Sequence, residues 1–159
     1  MLNRRRALAL GLGLTAAAGS AAQAAEPVKI AFVDTGNTGR SLMAETLARA
    51  LVRRRALPIA VISRGLDVDP FDEAPEANAR ILMAGRGFDV AAHRAAPLAA
   101  QDVSHADLIL TMTAAHAAEV TSRYPHARIR TFTLSAYATG ADVAIPDAWG
   151  KPMADYRAV

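Results

Sequence analysis

Cysteine is absent from the 159 residues, which removes disulfides, thiolate metal sites and thiol nucleophiles from consideration at once. An excess of one charge is absent too, once the N-terminus is set aside. The chain carries 18 Lys and Arg against 15 Asp and Glu, and three of the basic residues are Arg4, Arg5 and Arg6. The remainder holds 15 of each sign, so no clustered positive surface of the kind nucleic acid needs is left. Arg53-Arg54-Arg55 is a basic run, but it reads as a solvated helix end favoured by the helix dipole. Long apolar runs are scarce as well. The charge-free stretch from Ala7 to Ala22 follows the three arginines and leads into Ala22-Gln23-Ala24, a small-residue cleavage pattern. It is shorter and less apolar than the ~20 residues a membrane span needs.

Residues 1–24 are therefore expected to be an export signal, of twin-arginine type given the paired arginines and the Ala- and Gly-rich core. A general secretory signal and a retained N-terminal helix are the alternatives. The expected localisation is the periplasm, with no membrane span after cleavage. An oxidising compartment and a chain without cysteine fit each other.

What is present is one domain's worth of α/β pattern. Residues 25–159 are enough for a single compact core, in a chain that is 52% hydrophobic as a whole. An apolar run, Val28 to Val33, precedes a Gly-containing loop and a helix from Ser41 to Arg55, with Met43, Leu47, Ala50 and Leu51 on its apolar face. Ile59 to Ser63 reads as a second strand. Asp67 to Glu73 is an acidic loop, and a helix from Pro75 to Ala84 ends at Gly85 and Gly87. Phe88 to Pro97 is irregular, with a short helix over Leu98 to Val103. Leu108 to Met112 is a third strand, Thr113 caps a helix to Arg123, and Arg128 to Leu134 is a fourth strand. Ser135 to Pro146 reads as a long loop before a last short helix from Met153. Strands alternating with helices predict a three-layer α/β domain with a four-stranded parallel sheet, ligands lying at the carboxyl ends of the strands.

The loop Asp34-Thr35-Gly36-Asn37-Thr38-Gly39-Arg40-Ser41 carries the functional signal. A strand feeding a short loop that opens a helix turns backbone N–H groups and the positive end of the helix dipole toward one spot, an anion pocket. Gly36 and Gly39 permit backbone angles closed to other residues, and Arg40 adds a planar guanidinium that matches two phosphate oxygens. A cation sits poorly at a helix N-terminus unless an anion is expected there. No Lys-Ser/Thr pair follows, so this is not a nucleotide loop.

The stretch Ile30 to Ser41 resembles the phosphate loop of the low-molecular-weight protein tyrosine phosphatases, in which a cysteine, five residues, an arginine and a serine follow the first strand. Asp34 stands where that cysteine belongs, Gly39 where a second cysteine is usual, and Leu42 where a proline is usual. Ala92-His93-Arg94 resembles the family's Gly-His-Arg segment, and Asp107 to Met112 with His116 its third strand and next helix. Ile145-Pro146-Asp147-Ala148-Trp149 resembles the late loop whose aspartate protonates the leaving oxygen. The order of motifs is preserved over about 130 residues, counted from the sequence.

The resemblance implies that Thr35, Gly36, Asn37, Thr38, Gly39, Arg40 and Ser41 form the phosphate-binding loop. Arg40 would clamp phosphate, Asn37 brace the loop, Ser41 steady Asp34 through its hydroxyl, and Asp147 act as general acid or else cap the last helix. Trp149 is either a wall of the pocket or a core anchor. His93 and His116 read as structural, Tyr137 and Tyr156 as weak candidates for modification. No metal-ligand spacing is seen and the resemblance implies no cofactor. The implied partner is phosphate or a phosphorylated ligand such as a phosphotyrosine protein.

Everything turns on Asp34. A carboxylate that attacks phosphorus normally relies on a metal ion, and its oxygens reach into the space meant for phosphate. Three readings follow: a catalytically impaired phosphatase-like protein retaining an anion-binding loop; an active phosphomonoesterase using Asp34 and Asp147; and an exported interaction domain with a vestigial pocket. The chain also has few residues after Trp149, so the helix that closes the family's fold must be short here.

Overall fold

A computed structural model describes residues 26–158. The export-signal reading of residues 1–24 lies outside them. Four strands, β1 (Val28–Asp34), β2 (Ile59–Gly65), β3 (Leu108–Thr111) and β4 (Thr131–Thr133), form one parallel sheet in the order β2-β1-β3-β4. Among the described residues six α-helices accompany them: α1 (Arg40–Arg55), α2 (Ala77–Gly85), α3 (Ala100–His105), α4 (Ala114–Arg123), α5 (Leu134–Thr139) and α6 (Met153–Ala158). This is the α/β architecture with a four-stranded parallel sheet that the sequence predicts. No described helix is long and apolar enough to cross a membrane.

The alternation of β1 places its side chains in two different cores. Ala31 and Val33 pack with Leu98, Val103, Ile109 and Val120 on the face covered by α3 and α4. Phe32 packs with Val61, Leu110 and Met112 on the other face, where Ala44 and Ala48 bring α1 against the sheet. A third cluster joins Leu42 and Met43 of α1 to Met83 of α2 and Tyr156 of α6. The last helix has only six residues, yet Tyr156 is 2% exposed and fixes it to the domain.

The order of strands reverses beside β1, which pairs with β2 on one edge and β3 on the other. Successive connections leave the sheet on opposite faces there, opening a crevice at the carboxyl end of β1. Gly65 allows the end of β2 to approach that crevice. A Cβ at Gly65 would lie 2.5 Å from Val68 Cγ2 and 2.7 Å from the carbonyl oxygen of Thr35.

Several local expectations differ from the structure. The fourth strand is only Thr131–Thr133, because Pro125 starts a 3₁₀ helix through Arg130 and Thr131 Oγ1 donates back to the Ala127 carbonyl at 2.9 Å. Part of the expected loop after it is α5, capped at its start by Thr133, whose hydroxyl accepts from the Ala136 amide, and stopped at Gly140 with φ 77°. The short helix α3 begins at Ala100 rather than Leu98, since the Leu98 amide is donated to the Gly65 carbonyl at 2.8 Å. On α1, Leu47 and Leu51 are exposed, while Ser41 and Glu45 are buried and Ala44 and Ala48 meet the sheet. Glu45 tolerates burial because Ser63 donates to it and Arg49 pairs with it, which the charge pattern of the helix does not reveal.

Gly65→Ala is expected to destabilise the domain by about 1–3 kcal/mol, the usual cost of overpacking, because the added methyl meets the short, branched Val68 side chain and the main chain of Thr35 and Gly36. Urea unfolding checks this; unchanged stability would show that the crevice is looser than described.

Candidate functional site

Asp34 ends β1 and is 2% exposed. Its Oδ1 accepts from the Asn37 amide at 2.7 Å and its Oδ2 from the Ser41 amide at 2.8 Å. Charge-assisted bonds of this kind contribute roughly 1.5–3 kcal/mol each, so the carboxylate takes the place of an anion within its own loop. Among the described residues, the amides of Gly36, Thr38, Gly39 and Arg40 have no hydrogen-bond acceptor. The loop is thus partly filled from below and open above.

Asn37 braces the turn, as expected. It adopts φ 58°, a left-handed conformation that costs about 1 kcal/mol for a residue with a Cβ. Three contacts offset that cost. Its Nδ2 donates to Ser41 Oγ at 3.0 Å, its Oδ1 accepts from the Ala96 amide at 3.0 Å, and its carbonyl meets His93 Nε2 at 2.8 Å. The left-handed residue is therefore Asn37, and neither Gly36 nor Gly39 has positive φ. Ser41 also differs from expectation: its backbone amide, not its hydroxyl, holds Asp34. Thr38 accepts from the Glu76 amide through its carbonyl at 3.0 Å.

Arg40 is 8% exposed and turns toward the late loop. Its Nη1 donates to the Ile145 carbonyl at 3.1 Å and its Nη2 pairs with Asp147 Oδ2, also at 3.1 Å. Asp147 accepts from the Trp149 amide at 3.1 Å and does not cap α6, which begins at Met153. Trp149 is 62% exposed and lines the pocket, so it is a wall and not a core anchor. The structure brings Asp34, Arg40 and Asp147 around one cavity of about 300 Å³.

That cavity also collects residues the sequence left unassigned. Asp67, Asp69 and Asp72 line it, so five aspartates face a single lining cation, Arg40. The Asp67 amide donates to the Thr35 carbonyl at 2.8 Å and ties the acidic segment to the phosphate loop. A signal was available, since this segment follows β2 directly, where an α/β sheet presents ligand-binding groups. Tyr156 lines the cavity as well. Its burial excludes the modification considered for it, and burial, then the Glu76 carboxylate, pushes its pKa up.

His93 and His116 contact the loop without lining the cavity. His93 secures Asn37, and His116 Nε2 lies 3.0 Å from Thr35 Oγ1. Burial, then the Arg40 guanidinium, holds the His116 pKa below 6.5. Among the described residues no three His, Asp or Glu side chains come together as a metal site requires.

A strand, an amide-lined loop ending in Arg-Ser, and an aspartate loop facing it define a phosphatase-type anion site on a doubly wound sheet. The family model for low molecular weight phosphotyrosine protein phosphatase matches residues 29–159, and the chain belongs to that family. It is 37% identical over 133 residues to a protein-arginine-phosphatase of Geobacillus stearothermophilus, covering 83% of this chain and 86% of the relative. A protein-arginine-phosphatase of Bacillus subtilis is 33% identical over 80% of this chain and 84% of its own length. Among solved structures, a mutant of YwlE arginine phosphatase with a phosphorylated active-site serine superposes with a TM-score of 0.78 at 31% identity, over 82% of this chain and 85% of that one.

A His116→Asn variant tests the electrostatics. A histidine whose pKa is depressed by folding binds a proton more readily when unfolded. Its stabilising contribution is complete above the ordinary value of 6.5 and is lost progressively as pH falls below it through the lowered folded value. The wild-type decline in stability below pH 6.5 is expected to be steeper than that of the variant; parallel curves would place the decline elsewhere.

Proposed function

We propose that this chain is a catalytically impaired phosphatase-family protein in which Asp34 holds the phosphate loop shut from within, leaving an anion-binding edge without a nucleophile fit for turnover. The observation that carries this reading is the pair of short bonds from the Asn37 and Ser41 amides to the Asp34 carboxylate. An anion fixed in the loop repels a phosphate dianion and occupies part of its space. Arg40, engaged by Asp147, is not free to compensate. The ligand class suggested by the family is a phosphorylated protein side chain: phosphotyrosine from the family's description, phosphoarginine from the names of the relatives. Four unoccupied amides, those of Gly36, Thr38, Gly39 and Arg40, remain to hold its phosphate.

A second reading, an active phosphomonoesterase, draws support from Asp34, Arg40 and Asp147 sharing one cavity and from the phosphorylated serine in the YwlE mutant. In it, an Asp34 oxygen attacks phosphorus or Asp34 positions the attacking water, Arg40 clamps phosphate, and Asp147 protonates the leaving group. A third reading, an interaction domain with a vestigial pocket, predicts no response to phosphate in any variant. The N-terminal pattern supports export to the periplasm, and the mass of the secreted protein should then show a chain beginning at Ala25.

Hydrolysis of an aryl phosphate and of phosphotyrosine and phosphoarginine peptides separates the readings. No steady turnover is expected from the wild type, and measurable turnover is expected from Asp34→Cys. Steady wild-type turnover abolished by Asp34→Ala would overturn the impaired reading in favour of the second.

Ligand-induced stabilisation is the complementary measurement. At about 10 mM phosphate, a concentration chosen to exceed weak anion affinities, Asp34→Ala should gain several degrees of thermal stability and the wild type much less. An unresponsive Asp34→Ala would favour the vestigial pocket.

A further inference from the structure

We propose that the open half of the sheet beside α1 is a docking groove for an amphipathic helix of a partner polypeptide, apolar on its buried side and acidic along its flanks. The inference is independent of how Asp34 is read, because no turnover enters it.

The layers of the fold carry the first part. Neighbouring strands lie ~4.8 Å apart and a helix with its side chains is ~10 Å across, so one helix covers about two strands. A four-stranded sheet therefore takes two helices on each face. On one face α3 packs on β1, and α4 on β3 and β4. On the other, Ala44 and Ala48 set α1 against β1 and β2. Among the described residues, the helices packed on β4 are α4, from the opposite face, and the six-residue α5 that leaves its end. Phe132, the β4 partner of Leu110 in the sheet register, is accordingly 41% exposed, with the Tyr137 ring centred 5.8 Å from its own.

The apolar surface continues onto α1. Leu47 and Leu51 are exposed at helical spacing from Ala44. Leu47 leads into a cavity of about 210 Å³ that is also lined by Met43, Leu82, Met112 and Leu134. Arg40 and Tyr156 separate it from the cavity over the phosphate loop. A contiguous exposed apolar surface marks a place where another molecule packs, and a groove between a helix and a sheet edge receives side chains spaced as a helix presents them.

Charge selects the kind of helix. Arg86 and Arg157 line the cavity, and among the described residues no carboxylate lines it and neither arginine is in an ion pair. The third lining cation, Arg40, is already paired with Asp147. At the other end of the Leu47 and Leu51 stripe, one turn further along α1, Arg54 and Arg55 are exposed and likewise outside these ion pairs. Cations at both ends of an apolar strip complement acidic flanks. They oppose a second copy of the same face, whose arginines would meet arginines. Anionic lipid would answer the charges, but a bilayer meets ridges, and these apolar groups lie in a trough between α1 and β4.

The probe is a fluorescein-labelled synthetic helix of about 18 residues, roughly five turns, with leucines at three- and four-residue spacing and glutamates on the flanks. One control carries lysines in place of the glutamates, and another is a scrambled sequence without the stripe. In anisotropy titrations, saturable binding of the acidic helix is expected, at least about tenfold tighter than either control and weaker at high salt. Leu47→Asp/Leu51→Asp, which changes exposed side chains, should weaken it about tenfold or more, with circular dichroism showing the fold retained. Arg86→Glu/Arg157→Glu should weaken the acidic helix and strengthen the lysine one, a result that unfolding does not produce. Absence of saturable binding, equal affinity for the three peptides, or unaffected variants overturns the proposal. Dimerisation in sedimentation velocity that is lost in Leu47→Asp/Leu51→Asp would also overturn it, assigning the groove to a second copy. Co-sedimentation with phosphatidylserine vesicles that is lost in the same variant would overturn it in favour of a membrane surface.

Discussion

A carboxylate at the buried end of a central parallel strand is tolerable only if its charge is met, and in this protein two backbone amides meet it. Asp34 receives them from Asn37 and Ser41, at opposite ends of the turn. Burial of an unpaired charge would be far more costly than either bond is favourable, so the conformation of the loop and the burial of the Asp34 carboxylate go together. An amide cradle of the kind that suits an external anion here holds an internal one. Arg40, the other positive element, is likewise satisfied within the molecule by Asp147 and the Ile145 carbonyl.

The scaffold enforces that arrangement from three directions. Asn37 links the loop to the segment around His93 and Ala96. Leu66 and Asp67 donate to the carbonyls of Asp34 and Thr35, bringing the chain after β2 against it. Glu76 donates to the Thr38 carbonyl from the start of α2, while its own carboxylate caps that helix at the Asn78 and Ala79 amides. Because Gly65 lies against the Thr35 carbonyl, the space for relaxation is small. A loop so fixed is preorganised, which in a phosphatase would serve the transition state. The same contacts keep the loop amides and the Asp34 carboxylate in a fixed relation.

Membership of the low molecular weight phosphotyrosine protein phosphatase family and the likeness to arginine phosphatases therefore describe the frame. They leave the chemistry to the residues. The ring of donors, the arginine and the late-loop aspartate remain, but the sulfur nucleophile that the sequence resemblance leads one to seek is a carboxylate. Three further aspartates turn the surroundings acidic. The cavity over the loop is thus lined by five carboxylates and one guanidinium.

The fold was legible in the sequence because its signals are local. The run Val28 to Val33, the cap Thr113, and the breaks at Gly85 and Gly87 all act within one turn of the chain. The same holds for the loop from Asp34 to Ser41, whose role follows from its place between strand and helix. Tertiary structure alone decided that Asp34 is bound by the Ser41 amide rather than its hydroxyl, that Arg40 faces Asp147, and that Asp67, Asp69, Asp72 and Tyr156 meet at one cavity. The first depends on the backbone course of the braced loop, and the others join residues far apart in sequence whose meeting is set by how the strands and helices pack; no local pattern encodes which charge will lie beside which.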